Sequence, residues 1–84
     1  MKIDHWAYAR KYQIKCVFDK YPSTVFLFRR VADYYFIFSS SGIDVNEIPS
    51  PKDYVRMEYL LNKELGTLQA YRNRKRLRNS TISS

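Results

Sequence analysis

At 84 residues the chain has room for one domain with one core, and its 45 % hydrophobic share with eight Tyr and five Phe excludes a wholly disordered polypeptide. Two Gly and three Pro exclude collagen-like and low-complexity classes, and the single cysteine, Cys16, excludes an internal disulfide framework and fits a reducing compartment. The net charge of +7 is unevenly placed: residues 1–70 carry ten Lys or Arg against eight acids, whereas residues 71–84 hold Arg72, Arg74, Lys75, Arg76 and Arg78 with no acid. Such a cluster attracts polyanions, and it also complements the dipole of a helix C-terminus.

The N-terminus, Met1-Lys2-Ile3-Asp4-His5-Trp6, has an acid and a histidine where a signal peptide needs an apolar run. The most apolar window, Val25 to Phe38, is interrupted by Arg29, Arg30 and Asp33 and is too short to span a bilayer. A cytoplasmic protein without a membrane partner is expected. For Asp4 to Arg10, a short helical turn capped by Asp4 is favoured over an extension of the strand that follows.

From residue 11 to 18 the side chains alternate. Tyr12, Ile14, Cys16 and Phe18 fall on one side and Lys11, Gln13 and Lys15 on the other, with Val17 the exception. That period of two predicts a half-buried strand. Pro22 breaks the pattern after Asp19-Lys20. Residues 24–30 read Thr-Val-Phe-Leu-Phe-Arg-Arg, a β-branched and aromatic run suited to a central strand, and residues 33–40 supply another. The link between them has no Gly, so a longer loop or a bulge is favoured over a two-residue turn. An antiparallel meander of three strands results. Ser39 to Gly42 end the sheet, with a short edge pairing considered at Ile43 to Val45.

Ser50-Pro51-Lys52-Asp53 places a capping hydroxyl, a preset φ and an acid at helix-start spacing. Tyr54, Met57, Leu61, Leu65 and Leu68 then form one stripe, flanked by Leu60 and Tyr71. A helix over about 51–77 is predicted to pack on the sheet. The fold class is therefore α+β, with one domain over 1–71 and a basic helix end and disordered tail over 72–84. The sheet-then-helix order resembles, in topology alone, the three-stranded domains that phage integrases and plant transcription factors place in the DNA major groove.

Catalytic constellations are sparse. His5 is a lone histidine near a terminus, and Cys16 falls on the apolar side of a strand, where a thiol is inert. No Cys-His or Cys-Cys spacing supports zinc, the acids are scattered, and two glycines make no phosphate loop. No enzyme, cofactor or small-molecule substrate is expected. The aromatics suggest more, because one helix covers only one face of a sheet. If Phe26, Phe28, Phe36 and Phe38 meet the helix, then Val25, Leu27, Tyr35 and Ile37 occupy the other face. Either the segment around Trp6 folds across that face, or it is left as a partner site. Arg29 and Arg30 are ordinary strand-end charges or join Lys11 and Lys15 in a basic patch.

Two functions follow. One is a protein-binding module, an adaptor or inhibitor acting on a larger acidic partner, of the kind common among small phage-encoded proteins that bind host machinery. The other is a nucleic-acid-binding protein using Arg72, Arg74, Lys75, Arg76 and Arg78, with Arg29 and Arg30, on phosphates. A homodimer is compatible with both.

Overall fold

The alternation read in the sequence holds over the heart of the sheet. Ile14, Cys16 and Phe18 are fully buried on one side, together with Phe26 and Phe28 of the neighbouring strand. The computed structural model describes residues 1–42 and 47–74. Strands β1 (Ile3–Arg10), β2 (Gln13–Phe18), β3 (Tyr21–Val31) and β4 (Tyr34–Ser41) pair antiparallel in chain order. Helix α1 (Pro51–Leu65) follows, and a second helical segment occupies residues 68–74. The result is a small α+β domain with one antiparallel sheet and two helices. No helix among the described residues is long and apolar enough to cross a membrane.

The sheet has four strands, not three, because the expected N-terminal helical turn is strand β1. Its pairing with β2 shifts register between Ile3 and His5 and again between Tyr8 and Arg10. These irregularities break the period of two in the sequence and hide the strand. Trp6 opposite Cys16 and Tyr8 opposite Ile14 lie on the core side of the sheet, and Ile3 and Trp6 pack against the core cluster. Trp6 therefore does not cross the second face.

Lys11 and Tyr12, expected to open a strand, instead form a two-residue turn in which Tyr12 is left-handed at φ +65° and half exposed. The link before β4 is equally tight. Val31 pairs with Tyr34, and Ala32 takes φ +54° in place of the glycine that such turns usually use. A left-handed L-residue costs about 1–2 kcal/mol, and pairing of the long β3 with both neighbours offsets it. Strand β3 begins at Tyr21, earlier than residue 24. Pro22 is tolerated because β4 reaches only to Val25, so the missing N–H interrupts no ladder on that side.

Helix α1 starts where the sequence signals it. The Ser50 hydroxyl accepts from the Asp53 amide at 3.2 Å, with Pro51 in the first turn. Asp53 in turn accepts from Lys20 Nζ at 3.0 Å and from the Tyr21 hydroxyl, tying the helix start to the β2–β3 turn. Met57 and Leu61 are fully buried against the sheet, and Tyr54, Leu60 and Leu65 flank them. The helix does not run on to residue 77. Gly66 adopts φ +79°, its amide donates to Lys63 and the Thr67 amide to Asn62, a left-handed C-cap that ends the helix at Leu65. Leu68 and Tyr71 of the sequence stripe belong to the next segment, and Tyr71 is buried there.

Two polar residues on α1 complete the outer edge of β4. In the β3–β4 hairpin, Arg30–Tyr35 and Phe28–Ile37 are opposed pairs. The alternation of an antiparallel ladder turns the Tyr35 and Ile37 backbone groups away from β3. Fully buried Asn62 accepts from the Tyr35 amide and donates to the Tyr35 carbonyl, both at 2.8 Å. Glu58 accepts from the Ile37 amide at 2.9 Å and, through its other oxygen, from the Tyr71 hydroxyl at 2.9 Å. Thr67 donates to Asn62 Oδ1 at 2.8 Å. One network therefore joins β4, α1 and the second helical segment.

Removing the amide strands these groups. Asn62→Ala should destabilise the domain by about 2–4 kcal/mol, since it leaves a buried N–H and C=O unpaired as well as a cavity. Urea denaturation measures this, and a loss below about 1 kcal/mol would mean that the edge does not depend on Asn62.

The same packing sets a pH window. Donation to the Asp53 carboxylate, then burial, pushes the Tyr21 phenol from 10.0 up to about 12, and burial pushes the Cys16 thiol from 9.0 up to about 12. The Tyr21 bond, then Lys20, holds the Asp53 carboxyl below its ordinary 3.8. Raised acids favour the folded state in their protonated form, so their contribution is complete below about pH 9 and lost as pH rises toward 12. The lowered Asp53 contributes above about pH 4, and that contribution is lost as pH falls further. Urea midpoints should form a plateau from about pH 5 to 9 and fall on both sides, and Tyr21→Phe should flatten both limbs.

Candidate functional site

Side-chain parity across the hairpins divides the sheet into two unlike faces. Residues directly opposite one another share a face, so Phe28 carries Ile37 with it, and Tyr35 stands opposite Arg30. Both Tyr35 and Ile37 belong to the helix side, where Tyr35 is buried and Ile37 packs on the core. They are therefore not on the partner face expected from the sequence. Phe36 and Phe38 take their place. Phe36 pairs with Arg29, and a bulge at Phe38 shifts the register between Leu27–Ser39 and Phe28–Ile37. Val25 and Leu27 do lie on the second face, as expected.

That second face carries an apolar band with cations set into it. Val17, Val25, Leu27, Phe36 and Phe38 form the band, and among the described residues no element covers it. Exposure along it is graded: Val17 is 7 % exposed, Val25, Leu27 and Phe36 are intermediate, and Phe38 is 39 % exposed. A hollow of about 270 Å³ opens on one side of the band, lined by His5, Ala7, Lys15, Val17 and Val25. Arg29 lays its guanidinium 4.9 Å from the Phe38 ring centre. Among the described residues neither Lys15 nor Arg29 is in an ion pair, and Asp4 stands at the corner, 3.1 Å from His5.

The basic residues singled out in the sequence do not form one site. Arg29 stands on the open face with Lys15, whereas Arg30, opposite Tyr35, projects to the helix side and lies 5.6 Å from the Tyr12 ring centre. Arg72 stacks 5.7 Å from Tyr59, and Arg74 lies 3.5 Å from the centre of the Tyr71 ring. Lys75, Arg76 and Arg78 fall outside the described residues, as do the expected disordered tail and the edge pairing at Ile43 to Val45.

Two groups with nucleophilic or acid–base potential, Cys16 and Tyr71, are occupied by packing. Cys16 is fully buried and its thiol is raised by burial, which leaves no thiolate at neutral pH. Burial, followed by the bond to Glu58, also raises the Tyr71 phenol. Among the described residues no group of three His, Cys, Asp or Glu side chains is arranged to hold a metal ion.

Phe36, Phe38, Val17 and His5 are the residues of this face that sequence reasoning missed. A signal for the first two was present. If residues 32 and 33 are read as a two-residue turn, the core parity of Phe28 assigns Ile37 and Tyr35 to the helix side at once.

Fold and site together define a small α+β domain with one helix-covered sheet face and one open, cation-bearing face. The chain belongs to the YuzH family: residues 2–76 match the family described as "Uncharacterised protein YuzH". No curated protein and no solved structure matches the chain.

Proposed function

We propose that this protein is a non-enzymatic binding module that docks on a larger protein through the open face of its sheet. The observation that carries the reading is the apolar band of Val17, Val25, Leu27, Phe36 and Phe38 with no covering layer among the described residues. Contiguous apolar surface of this kind marks association sites. The chemistry of the occupant follows from the charges within the band. Lys15 and Arg29 interrupt it without an ion pair among the described residues, so the matching surface combines an apolar anchor with carboxylates. The hollow between β1 and β3 accepts the anchor side chain. A second copy of the chain is a poorer match, because it sets these cations against cations. Aliphatic Val25 and Leu27 at the centre favour a protein over a nucleic acid, whose bases stack on rings.

The test is capture from native cell extract with and without nuclease, comparing wild type with Leu27→Ala, Phe36→Ala and Arg29→Glu. These side chains lie away from the helix, so thermal midpoints should stay close to wild type. A nuclease-resistant partner should lose more than about 1 kcal/mol of affinity on Leu27→Ala or Phe36→Ala, as expected for a buried anchor. Arg29→Glu should weaken it further at low salt. A partner retained equally by all variants, or released by nuclease, would overturn the reading.

A further inference from the structure

A second site lies on the other side of the sheet, at its turn end, and is independent of the docking face. There Tyr8 of β1 stands opposite Ile14, Tyr35 of β4 stands opposite Arg30, and the Lys11–Tyr12 turn closes the end. Tyr8, Arg10, Lys11, Tyr12, Arg30 and Tyr35 line an open cleft of about 350 Å³. Three of these residues are cations and three are phenols, and among the described residues no carboxylate lines the cleft.

The cations gather around aromatic rings. Lys11 Nζ lies 5.3 Å from the centre of the Tyr12 ring and the Arg30 guanidinium 5.6 Å from it. Tyr12 is 50 % exposed and Tyr8 64 % exposed, so ring surface remains open to a ligand. Arg30 is partly engaged: its Nε donates to the Ala32 carbonyl at 3.1 Å and its fork lies 3.5 Å from the exposed Asp33. Arg10 and Lys11 are in no ion pair among the described residues. The Tyr12 backbone is left-handed, and its carbonyl is fixed by the Arg30 amide at 2.8 Å. An aromatic residue held in that conformation carries strain of the kind found at ligand sites.

Such a cleft selects by two features at once. Bare phosphate would use the cations and leave the rings idle, and an acidic peptide would do the same with its carboxylates. A flat aromatic ring that also carries phosphate uses both. The volume is at the small end of ligand pockets, the scale of a single such unit. We propose that the cleft binds a nucleotide unit, the base stacked on Tyr12 and the phosphate met by Arg10, Lys11 and Arg30. The unit is either a free nucleotide or one residue of a single strand; in a duplex the bases are stacked on one another and closed to it.

Trp6 supplies the readout, because its ring packs edge-on against Tyr8 with centroids 5.6 Å apart. Its fluorescence is followed while adenosine monophosphate, an eight-nucleotide single strand, a duplex of equal length, polyglutamate and inorganic phosphate are each titrated at several salt concentrations. Saturable quenching by the mononucleotide or the single strand is expected, with little response to the other three probes. If the source is a strand, it binds more tightly than the mononucleotide, because the three cations that share the phosphate of a mononucleotide then also meet its neighbours along the strand, and three neutralised phosphates give a log–log salt slope of about −2. If the source is a free nucleotide, the mononucleotide binds at least as well. Tyr12→Gly relieves the left-handed strain and removes the ring. It should leave the fold intact and weaken binding about five- to 140-fold. Arg10→Ala should weaken binding and, for the strand, lower the slope by about 0.7. Leu27→Ala, on the other face, should change nothing. No saturable response to either nucleotide probe at low salt would overturn the proposal. So would equal affinity for inorganic phosphate or polyglutamate, or unchanged affinity in Tyr12→Gly, whose C-terminal cations remain in place.

Discussion

An edge strand leaves every second N–H and C=O without a partner, and in this domain the side chains of one helix supply them. Asn62 answers both backbone groups of Tyr35, and Glu58 answers the Ile37 amide. Ordinary helix–sheet packing is a matter of apolar area and tolerates sliding. These bonds do not, because a buried amide has fixed donor and acceptor directions. They set the rotation and the axial position of α1 at once. Met57 and Leu61 then fall on the core, and the bond that the Tyr21 hydroxyl donates to Asp53 holds the other end of the helix to the β2–β3 turn. Covering the edge also removes a template on which another chain would pair.

What the helix covers determines what it leaves open. Seven residues, Ile14, Cys16, Phe18, Phe26, Phe28, Met57 and Leu61, are fully buried apolar side chains, and all lie on one side of the sheet or on the helix facing it. On the opposite face Val25, Leu27 and Phe36 are left partly exposed, with the exposed Lys15 and Arg29 beside them. A domain of this size has one core, and the second face is surplus to it. The same geometry separates the adjacent pair Arg29 and Arg30. One joins the apolar band and the other joins the tyrosines at the turn end, so the two surfaces differ in chemistry as well as in side.

Much of this architecture was legible in the sequence, where the local rule and the tertiary outcome agree. The Ser50-Pro51-Asp53 signal marks the helix start because its bonds are local, and the alternation of Ile14, Cys16 and Phe18 survives because β2 is flanked on both sides. Strand β1 was hidden by its two register shifts. Tyr12 and Ala32 conceal tight turns because neither is the residue that a left-handed position normally selects, and the mistaken turn before β4 carried Tyr35 and Ile37 to the wrong face. The helix predicted over about 51–77 runs through Gly66, yet the φ of +79° there ends it at Leu65. Asn62 had no signal of its own: a polar residue in a helix reads as solvent-facing until the strand edge beside it is known.

Native-state hydrogen exchange at two amides tests the central claim most directly. Tyr35 and Ile37 lie on an edge strand and point away from its neighbour, so nothing within the sheet protects them. If Asn62 and Glu58 complete the edge, both amides should exchange as slowly as those of β3 in the middle of the sheet, at rates close to global unfolding. Exchange at the rate of an unpaired, solvent-exposed amide would contradict the account, since the outer edge of β4 would then be unpaired and Asn62 and Glu58 would not set the position of α1 along it.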